Sequence, residues 1–344
     1  MALKAKKNGV KGAFINNIAI FITLITSITI NLILVNLFDF SRIQFIVFPF
    51  DLFILLFLPF FHIIFALFLL REKHLMRKGI QKESSPTSPR DELPLRYEIY
   101  RKLAHLVVLG IILFYFTFLG SLFKDFNLFL IELLPDAFSD LYHSLFINGN
   151  QNMIFNQYLV IFLVAISLFG LLSADFIRIL KPEIYPLKPV NKILRRKELS
   201  MRLGPQISMA TGCFSIIILY GLYQPIGPII ISISMIMSVF GDMASNLIGR
   251  TLGKRKIHPL GKRKSNKTYL GLFAGIFAAF GAGLFLLFLL RAYTFFSIIG
   301  FFLLPACGAI MMGILDYLDL EIDDNLTYPY ILSIIMFLLS FFVI

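Results

Sequence analysis

The polar residues best suited to chemistry lie at the end of a long apolar stretch. Ser245, Asn246 and Gly249 follow Asp242 by three, four and seven residues, which places all four on one face of a helix. Such a stripe of small residues could simply pack one helix against another. A carboxylate within an apolar segment is nevertheless a functional-site hypothesis by default. We therefore interpret the stripe as part of a binding site.

A second group of polar residues is acidic. Five acids lie within nine residues, from Asp316 to Asp324, and Asn325 follows them. Carboxylate and amide oxygens are hard ligands, and Mg²⁺ is usually held by one or two carboxylates together with substrate phosphates. The acids at 323 and 324 could also cap the last helix, and the two roles are compatible. The segment indicates a binding site, with an ordinary solvated surface as the alternative.

Two groups of basic residues could bind phosphates. Arg101, Lys102 and His105 lie at the start of an apolar stretch, and positions 101 and 105 share a helical face. Eight Lys and Arg residues lie between Arg250 and Lys267, interleaved with Gly, Ser and Thr that can donate hydrogen bonds to phosphate oxygens. The alternatives are flanking charges that orient the chain and a surface for anionic lipid headgroups.

The composition is that of a membrane protein. Of the 344 residues, 58% are hydrophobic and 15% are charged, whereas soluble proteins contain about 25% charged residues. The apolar residues form blocks close to the ~20 residues that a helix needs to cross the hydrocarbon core. We predict an all-α, polytopic membrane helix bundle with about nine transmembrane helices. The predicted spans are about 13–38, 45–70, 99–123, 154–180, 204–222, 225–249, 269–290, 293–315 and 326–344.

The distribution of positive charge predicts the orientation of the chain. Of the 32 Lys and Arg residues, 29 fall in the N-terminal tail and three loops, which alternate with segments that carry almost none. Cytoplasmic loops carry the excess of Lys and Arg. The N-terminus and the loops at 71–100, 181–203 and 250–268 are therefore predicted to be cytoplasmic, as are all the candidate site residues. This topology accounts for the net charge of +12 and gives no reason to expect nucleic acid as a partner.

A polar segment rich in Pro and Ser divides the chain. It predicts a flexible linker at 81–94, between an accessory N-terminal transmembrane hairpin at 1–80 and a membrane core at 95–344 that carries the candidate site. The outer loop at about 124–153 predicts a short amphipathic helix at the membrane interface, interrupted by Pro135.

Five motifs follow one another in the core. They are RKLAH from Arg101, the pair Glu198 and Gly204, GDMASNLIGRTLGK from Gly241, KS at Lys264, and DDNLTYP from Asp323. This order resembles the CTP-dependent polyprenol kinase family, which includes dolichol kinase, phytol kinase and CTP-dependent diacylglycerol kinase and is related to phosphatidate cytidylyltransferase. The resemblance covers about residues 95–344.

The resemblance implies a CTP- and Mg²⁺-dependent kinase that phosphorylates the hydroxyl of a membrane lipid alcohol on the cytoplasmic side. The acceptor would be a polyprenol such as dolichol, a phytol-type alcohol or diacylglycerol, with other membrane lipids around it. Asp242 and Asp324 would be catalytic and hold the metal, and His105 or a carboxylate would accept the hydroxyl proton. The residues implied to bind nucleotide or phosphate are Arg101, Lys102, Ser245, Gly249, Gly253, Lys254, Lys262, Lys264, Ser265 and Asn325.

One residue departs from the family pattern. Family members continue the fourth motif as K-[ST]-x-E-G, whereas this chain has Lys267 in place of the acid. We expect a lysine in an exposed loop beside Lys264, where solvent and salt screen charges, to alter nucleotide affinity without abolishing activity.

Three other functions are compatible with the residues. A cytidylyltransferase uses the same cofactors but attacks the α-phosphate of CTP. A transporter could use Asp175 and Asp242 as ion sites, although Arg178, three residues after Asp175, would pair with it locally. A non-catalytic membrane protein would result if Lys267 had abolished activity.

The predicted orientation can be tested by cysteine accessibility. A cysteine introduced by Ser88→Cys should react with a membrane-impermeant maleimide only after the cytoplasmic face is opened. Labelling from the outer face of intact cells would overturn the orientation.

Overall fold

Helices make up almost all of the regular structure of the chain. The computed structural model describes residues 1–37, 50–79, 93–145, 152–199, 201–258, 265, 267–294 and 296–343. Within these ranges the β-pairing is limited to one isolated antiparallel bridge, between Lys256 and Thr268. The α-helices are α1 Ala2–Lys7, α2 Lys11–Leu37, α3 Phe50–Arg77, α4 Leu95–Ala104, α5 Val108–Phe116, α6 Phe118–Glu132, α7 Asp136–Leu145, α8 Asn152–Leu180, α9 Arg196–Leu199, α10 Pro205–Tyr220, α11 Ile226–Thr251, α12 Tyr269–Leu289, α13 Ile298–Leu318 and α14 Asp324–Val343.

The described ranges contain eight segments that are long and apolar enough to cross a membrane. Seven lie in α2, α3, α8 and α11 to α14, and the eighth, Leu95–Phe116, combines α4 and α5. The prediction of an all-helical polytopic membrane bundle is therefore confirmed. The one predicted span that is not among these eight is 204–222, which corresponds to α10, a helix of 16 residues. At ~1.5 Å per residue a helix of that length falls short of the ~30 Å hydrocarbon core. The count of nine and the cytoplasmic N-terminus stay predictions.

Helices α10 and α11 form the centre of the bundle. Thirteen of the 16 residues of α10 are buried, as is nearly all of α11 up to Asp242. Helix α10 packs against α2, α8 and α14, while α11 packs against α12, α14 and α13. A helix that is apolar all round is expected to be surrounded by other helices. The runs of Ile, Met and small residues in α10 and α11 fit this position.

Glycines allow a close contact between α11 and α12. A Cβ atom added to Gly271 would lie 2.6 Å from the carbonyl oxygen of Ser245 and 2.9 Å from the Cα of Gly249. Such distances leave no room for a side chain, so only glycine fits there. This contact fixes the end of α11 that carries the polar stripe.

The third predicted span ends earlier than expected. Helix α5 stops at Phe116, because Thr117 has an extended backbone and its side chain caps α6 by accepting a hydrogen bond from the amide of Leu119. Residues up to 123, assigned to the span from their hydropathy, belong to α6 instead. Pro135 separates α6 from α7, which confirms the predicted interruption of the outer segment.

The N-terminal helix α2 contacts the core directly. The side chain of Asn17 accepts a hydrogen bond from the amide of Leu203 (2.9 Å) and donates one to the carbonyl of Met201 (2.9 Å). Asn16 Oδ1 accepts hydrogen bonds from Arg202 (3.0 Å) and from the amide of Asp323 (2.9 Å). The predicted division of the chain into an N-terminal hairpin, a linker and a membrane core stays a prediction. Helix α2 nevertheless holds the loop at 201–203 and the start of α14 by these hydrogen bonds.

The carboxylate of Asp175 and the guanidinium of Arg178 form a buried ion pair three residues apart on α8, which confirms the local-pair alternative. The pair also fixes the loop that follows α9. Arg178 donates hydrogen bonds to the carbonyls of Glu198 (3.0 Å) and Arg202 (2.8 Å), and Asp175 accepts one from the amide of Gly204 (2.8 Å).

Removing this guanidinium should destabilise the protein. Arg178→Met leaves the Asp175 carboxylate buried without its cation, a loss that typically costs about 3–5 kcal/mol. We expect a lower midpoint of thermal denaturation in detergent, whereas Lys181→Met, an exposed cation just after α8, should leave it unchanged. Equal effects of the two substitutions would contradict the role assigned to the buried pair.

Candidate functional site

A cavity of about 320 Å³ opens at the end of the bundle where α4, α9, α11 and α14 meet. Its lining contains two sets of charged residues, which we call the cationic wall and the acidic wall, and several members of the two sets are in direct contact. The cationic wall consists of Arg101, Lys102, Arg195, Lys197, Arg202 and Arg250. The acidic wall consists of Asp242, Asp316, Asp319, Asp323 and Asp324. The structure therefore brings residues from four of the five motifs into one cavity.

The ammonium of Lys102 and the carboxylate of Asp242 join the two walls. They form a direct, buried ion pair between α4 and α11. Asn246 donates a second hydrogen bond to Asp242, at 2.6 Å, because it lies one helical turn further along α11. His105 is buried behind this pair, with Nδ1 4.0 Å from the same carboxylate, and does not line the cavity.

Arg101 is held between two glutamates. Its guanidinium contacts Glu98 at 2.6 Å on its own helix and Glu198 at 3.0 Å on α9. Glu98 is fully buried and also contacts Arg195 (3.0 Å) and Arg250 (3.6 Å). This network attaches the loop around α9 to α4 and α11, and it gives Arg101 a positioning role in addition to its place on the cavity wall.

The acidic wall is formed where α13 turns back into α14. Asp319 ends α13 in the left-handed conformation, which Asp adopts more readily than most residues. Asp316, still within α13, accepts hydrogen bonds from the hydroxyls of Ser245 and Tyr328, both at 2.8 Å. Asp323 caps α14 by accepting a hydrogen bond from the amide of Asn325 (3.1 Å), which confirms the capping alternative.

Charge neighbours set the ionisation of two residues outside the spans. Burial alone would raise the pKa of Asp323, but Arg202 at 3.6 Å, the amide of Asn325 and the more distant Lys197 and Arg101 together outweigh burial and lower that pKa below its usual range. Burial, together with the nearby Arg195 and Arg202, lowers the pKa of Lys197. A bound anion beside Lys197 would counter that crowding of positive charge.

Lys267 does not lie in an exposed loop as expected from the sequence, while its expected effect on nucleotide affinity stays a prediction. Its side chain is 23% exposed, and its ammonium lies among three carboxylates of the acidic wall instead of in an exposed loop. The Nζ atom is 2.8 Å from Asp316, 3.3 Å from Asp324 and 3.6 Å from Asp319. Burial alone would lower the pKa of Lys267, but these carboxylates raise it well above its ordinary value.

The site residues predicted from the sequence fall into three groups. Those that line the cavity are Arg101, Lys102, Asp242, Ser245, Gly249, Asp324 and Asn325. Those that do not are His105, Gly253, Lys254 and Ser265. Lys254 is exposed, and the hydroxyl of Ser265 accepts a hydrogen bond from the amide of Lys267 (3.1 Å). Lys262 and Lys264 lie outside the described residues, so their role stays a prediction.

Sequence reasoning missed three cations of the cavity, Arg195, Lys197 and Arg202. They belong to the basic segment that was used only to orient the chain. Their proximity to Glu198, which matches the second motif, is the signal that could have identified them. The structure shows that this loop provides much of the cationic wall.

The acidic wall fits Mg²⁺ in its chemistry but not as a preformed cage. Within the described ranges, no group of three or more His, Cys, Asp or Glu side chains is arranged to hold a metal ion. Asp242 and Asp324 are paired with Lys102 and Lys267. Because Mg²⁺ is commonly held by one or two carboxylates plus substrate phosphates, these residues fit an ion that arrives with a nucleotide.

No family model, curated protein sequence or solved structure matches the chain. The resemblance to the polyprenol kinase family therefore depends on the five sequence motifs, residues from four of which line the cavity.

Proposed function

We propose that this membrane protein is a CTP- and Mg²⁺-dependent kinase that phosphorylates the hydroxyl of a membrane lipid alcohol. The observation that supports this most directly is the cavity lined by both cations and carboxylates, placed at the end of a helical membrane bundle. Phosphoryl transfer requires mainly positioning and neutralisation of charge, and the two walls supply residues for both.

The cationic wall would bind the triphosphate of the donor. Guanidinium groups bind phosphate in a bidentate manner, and ammonium groups act as point charges. Arg195, Lys197 and Arg202 lie on one loop and can contact one extended anion together. Asp242 and Asp324, which also line the cavity, would hold Mg²⁺. When bound, Mg²⁺ would supply positive charge that neutralises the negative charge on the transferring phosphate.

A small apolar slot beside the carboxylates would receive the acceptor. It has a volume of about 20 Å³ and extends from the cavity between α5, α10, α11 and α14. Asp242, Asp324 and Asn325 line both spaces, while the slot is otherwise mainly apolar, with Val108, Met209, Cys213, Met235 and Val239 among its residues. The flexible Met side chains would move apart to admit the carbon chain next to the hydroxyl.

The geometry favours a carboxylate over His105 as the proton acceptor. Asp242 and Asp324 line both the slot and the cavity, whereas His105 lines neither. In the proposed step, the carboxylate takes the hydroxyl proton while the alcohol oxygen bonds to the γ-phosphorus of CTP. The bond from that phosphorus to the β-phosphate oxygen breaks, and CDP leaves.

The assay uses purified protein, γ-labelled CTP and Mg²⁺ with dolichol, phytol or diacylglycerol. We expect the label to appear in one of these lipids, with CDP as the nucleotide product. Formation of a CDP-lipid and pyrophosphate would instead identify a cytidylyltransferase. Absence of both reactions with every lipid would contradict the proposal.

The roles of Asp242 and Asp324 in turnover can be distinguished from any role in folding. Asp242→Asn and Asp324→Asn should each lower turnover by orders of magnitude, because each removes a carboxylate that would hold the metal, and one of the two would also accept the proton. Asp51→Asn, at the exposed start of α3, should have little effect. Size-exclusion profiles and denaturation midpoints should show that all three variants are folded. Similar losses of turnover in all three variants would contradict the assignment of Asp242 and Asp324 to the site.

A further inference from the structure

Lys267 differs from the other cations of the cavity in its surroundings. Its ammonium contacts three carboxylates, from Asp316, Asp319 and Asp324, at 2.8 to 3.6 Å. Those carboxylates come from the end of α13, the turn after it and the first residue of α14. One cation therefore joins three acids that would otherwise repel one another.

The backbone holds Lys267 in this place on both sides. Its amide donates to the hydroxyl of Ser265 (3.1 Å), and its carbonyl accepts a hydrogen bond from the amide of Ile257 (2.9 Å). The next residue, Thr268, caps α12 by accepting a hydrogen bond from the amide of Gly271 (3.2 Å). The side chain thus reaches the carboxylates from a fixed base.

The neighbours of Asp316 complete the arrangement. The hydroxyls of Tyr328 and Ser245 donate to its two oxygens, and Lys267 contacts the oxygen that Tyr328 also contacts. An ammonium carries three donors, which suits three surrounding acceptors. Mg²⁺ requires ligands at ~2.0–2.1 Å in a near-octahedral arrangement, and it could not enter without displacing the ammonium.

We propose that the ammonium of Lys267 is the resident cation of the Asp316–Asp319–Asp324 cluster and occupies the place that a divalent ion would otherwise take. The cluster then needs no metal of its own, and the divalent ion that the reaction requires is the one brought by the nucleotide. Asp324 retains its second oxygen for that ion. The part played by the nucleotide rests on the proposed function, whereas the occupancy of the cluster does not.

The test is a titration of nucleotide-free protein with Mn²⁺, in which electron paramagnetic resonance measures the unbound ion. Lys267→Met removes the ammonium from three carboxylates and should bind one Mn²⁺ at least ~tenfold more tightly than the wild-type chain, because charge in a partly buried site is weakly screened. Lys254→Met removes the same charge from an exposed position near the start of the same loop and should behave as the wild type does.

Two further variants make the result specific. Lys267→Met combined with Asp319→Asn should lose much of the gained affinity, because one carboxylate has gone. Lys267→Gln retains a donor for Asp316 and should also gain the Mn²⁺ site, which provides a second variant if Lys267→Met does not fold.

Three results would overturn the proposal. One is Mn²⁺ binding by the wild type as tight as by the Lys267 variants. Another is a Mn²⁺ affinity of Lys254→Met equal to that of the Lys267 variants. The third is that neither Lys267→Met nor Lys267→Gln, when folded, gains a Mn²⁺ site. Since the titration uses neither CTP nor lipid, its outcome is separate from that of the kinase assay.

Discussion

A charge buried in this helical bundle needs a partner of opposite sign, and the arrangement of the whole site depends on that constraint. The Lys102–Asp242 pair meets it between α4 and α11. Glu98 is the carboxylate partner of both Arg101 and Arg195, which come from two different segments. Buried pairs add little net stability, but removing one member leaves the other charged and uncompensated. These contacts therefore fix which helix ends meet, and the cavity is the space that remains between them.

The same pairing affects how an anion would enter the cavity. Arg101 and Lys102 already have carboxylate partners. A phosphate that binds one of these cations would therefore replace one anionic partner with another, and the cation would not be left exposed to an apolar interior. A complex of nucleotide and divalent ion presents both signs and matches the two walls together. A free nucleotide would satisfy the cationic wall and place its remaining negative charge near the acidic one. This asymmetry is the physical reason for expecting a metal-bound donor in the proposed reaction.

The sequence was informative wherever a local pattern determines the structure. Long apolar blocks gave the positions of the spanning helices, and helical spacing placed Asp242 and Ser245 on the face of α11 that lines the cavity. Contacts between distant segments could not be predicted in this way. Lys267 is 49 residues before Asp316 in the chain, so only the packing of α12 against α13 reveals that they meet. The early end of the third span was missed because one capping threonine, Thr117, outweighs the hydropathy of its neighbours.

The two spaces at the site place different demands on the two proposed substrates. The polar cavity, at about 320 Å³, is already open, whereas the apolar slot, at about 20 Å³, has room for roughly one water molecule. A lipid that moves from the bilayer into the slot exchanges one apolar environment for another and gains little from the hydrophobic effect. Its affinity must then come from close packing and from the hydroxyl end. Selection among lipid alcohols should therefore depend on the residues where the slot meets the carboxylates, such as Met209 and Cys213, more than on the length of the chain that remains in the membrane.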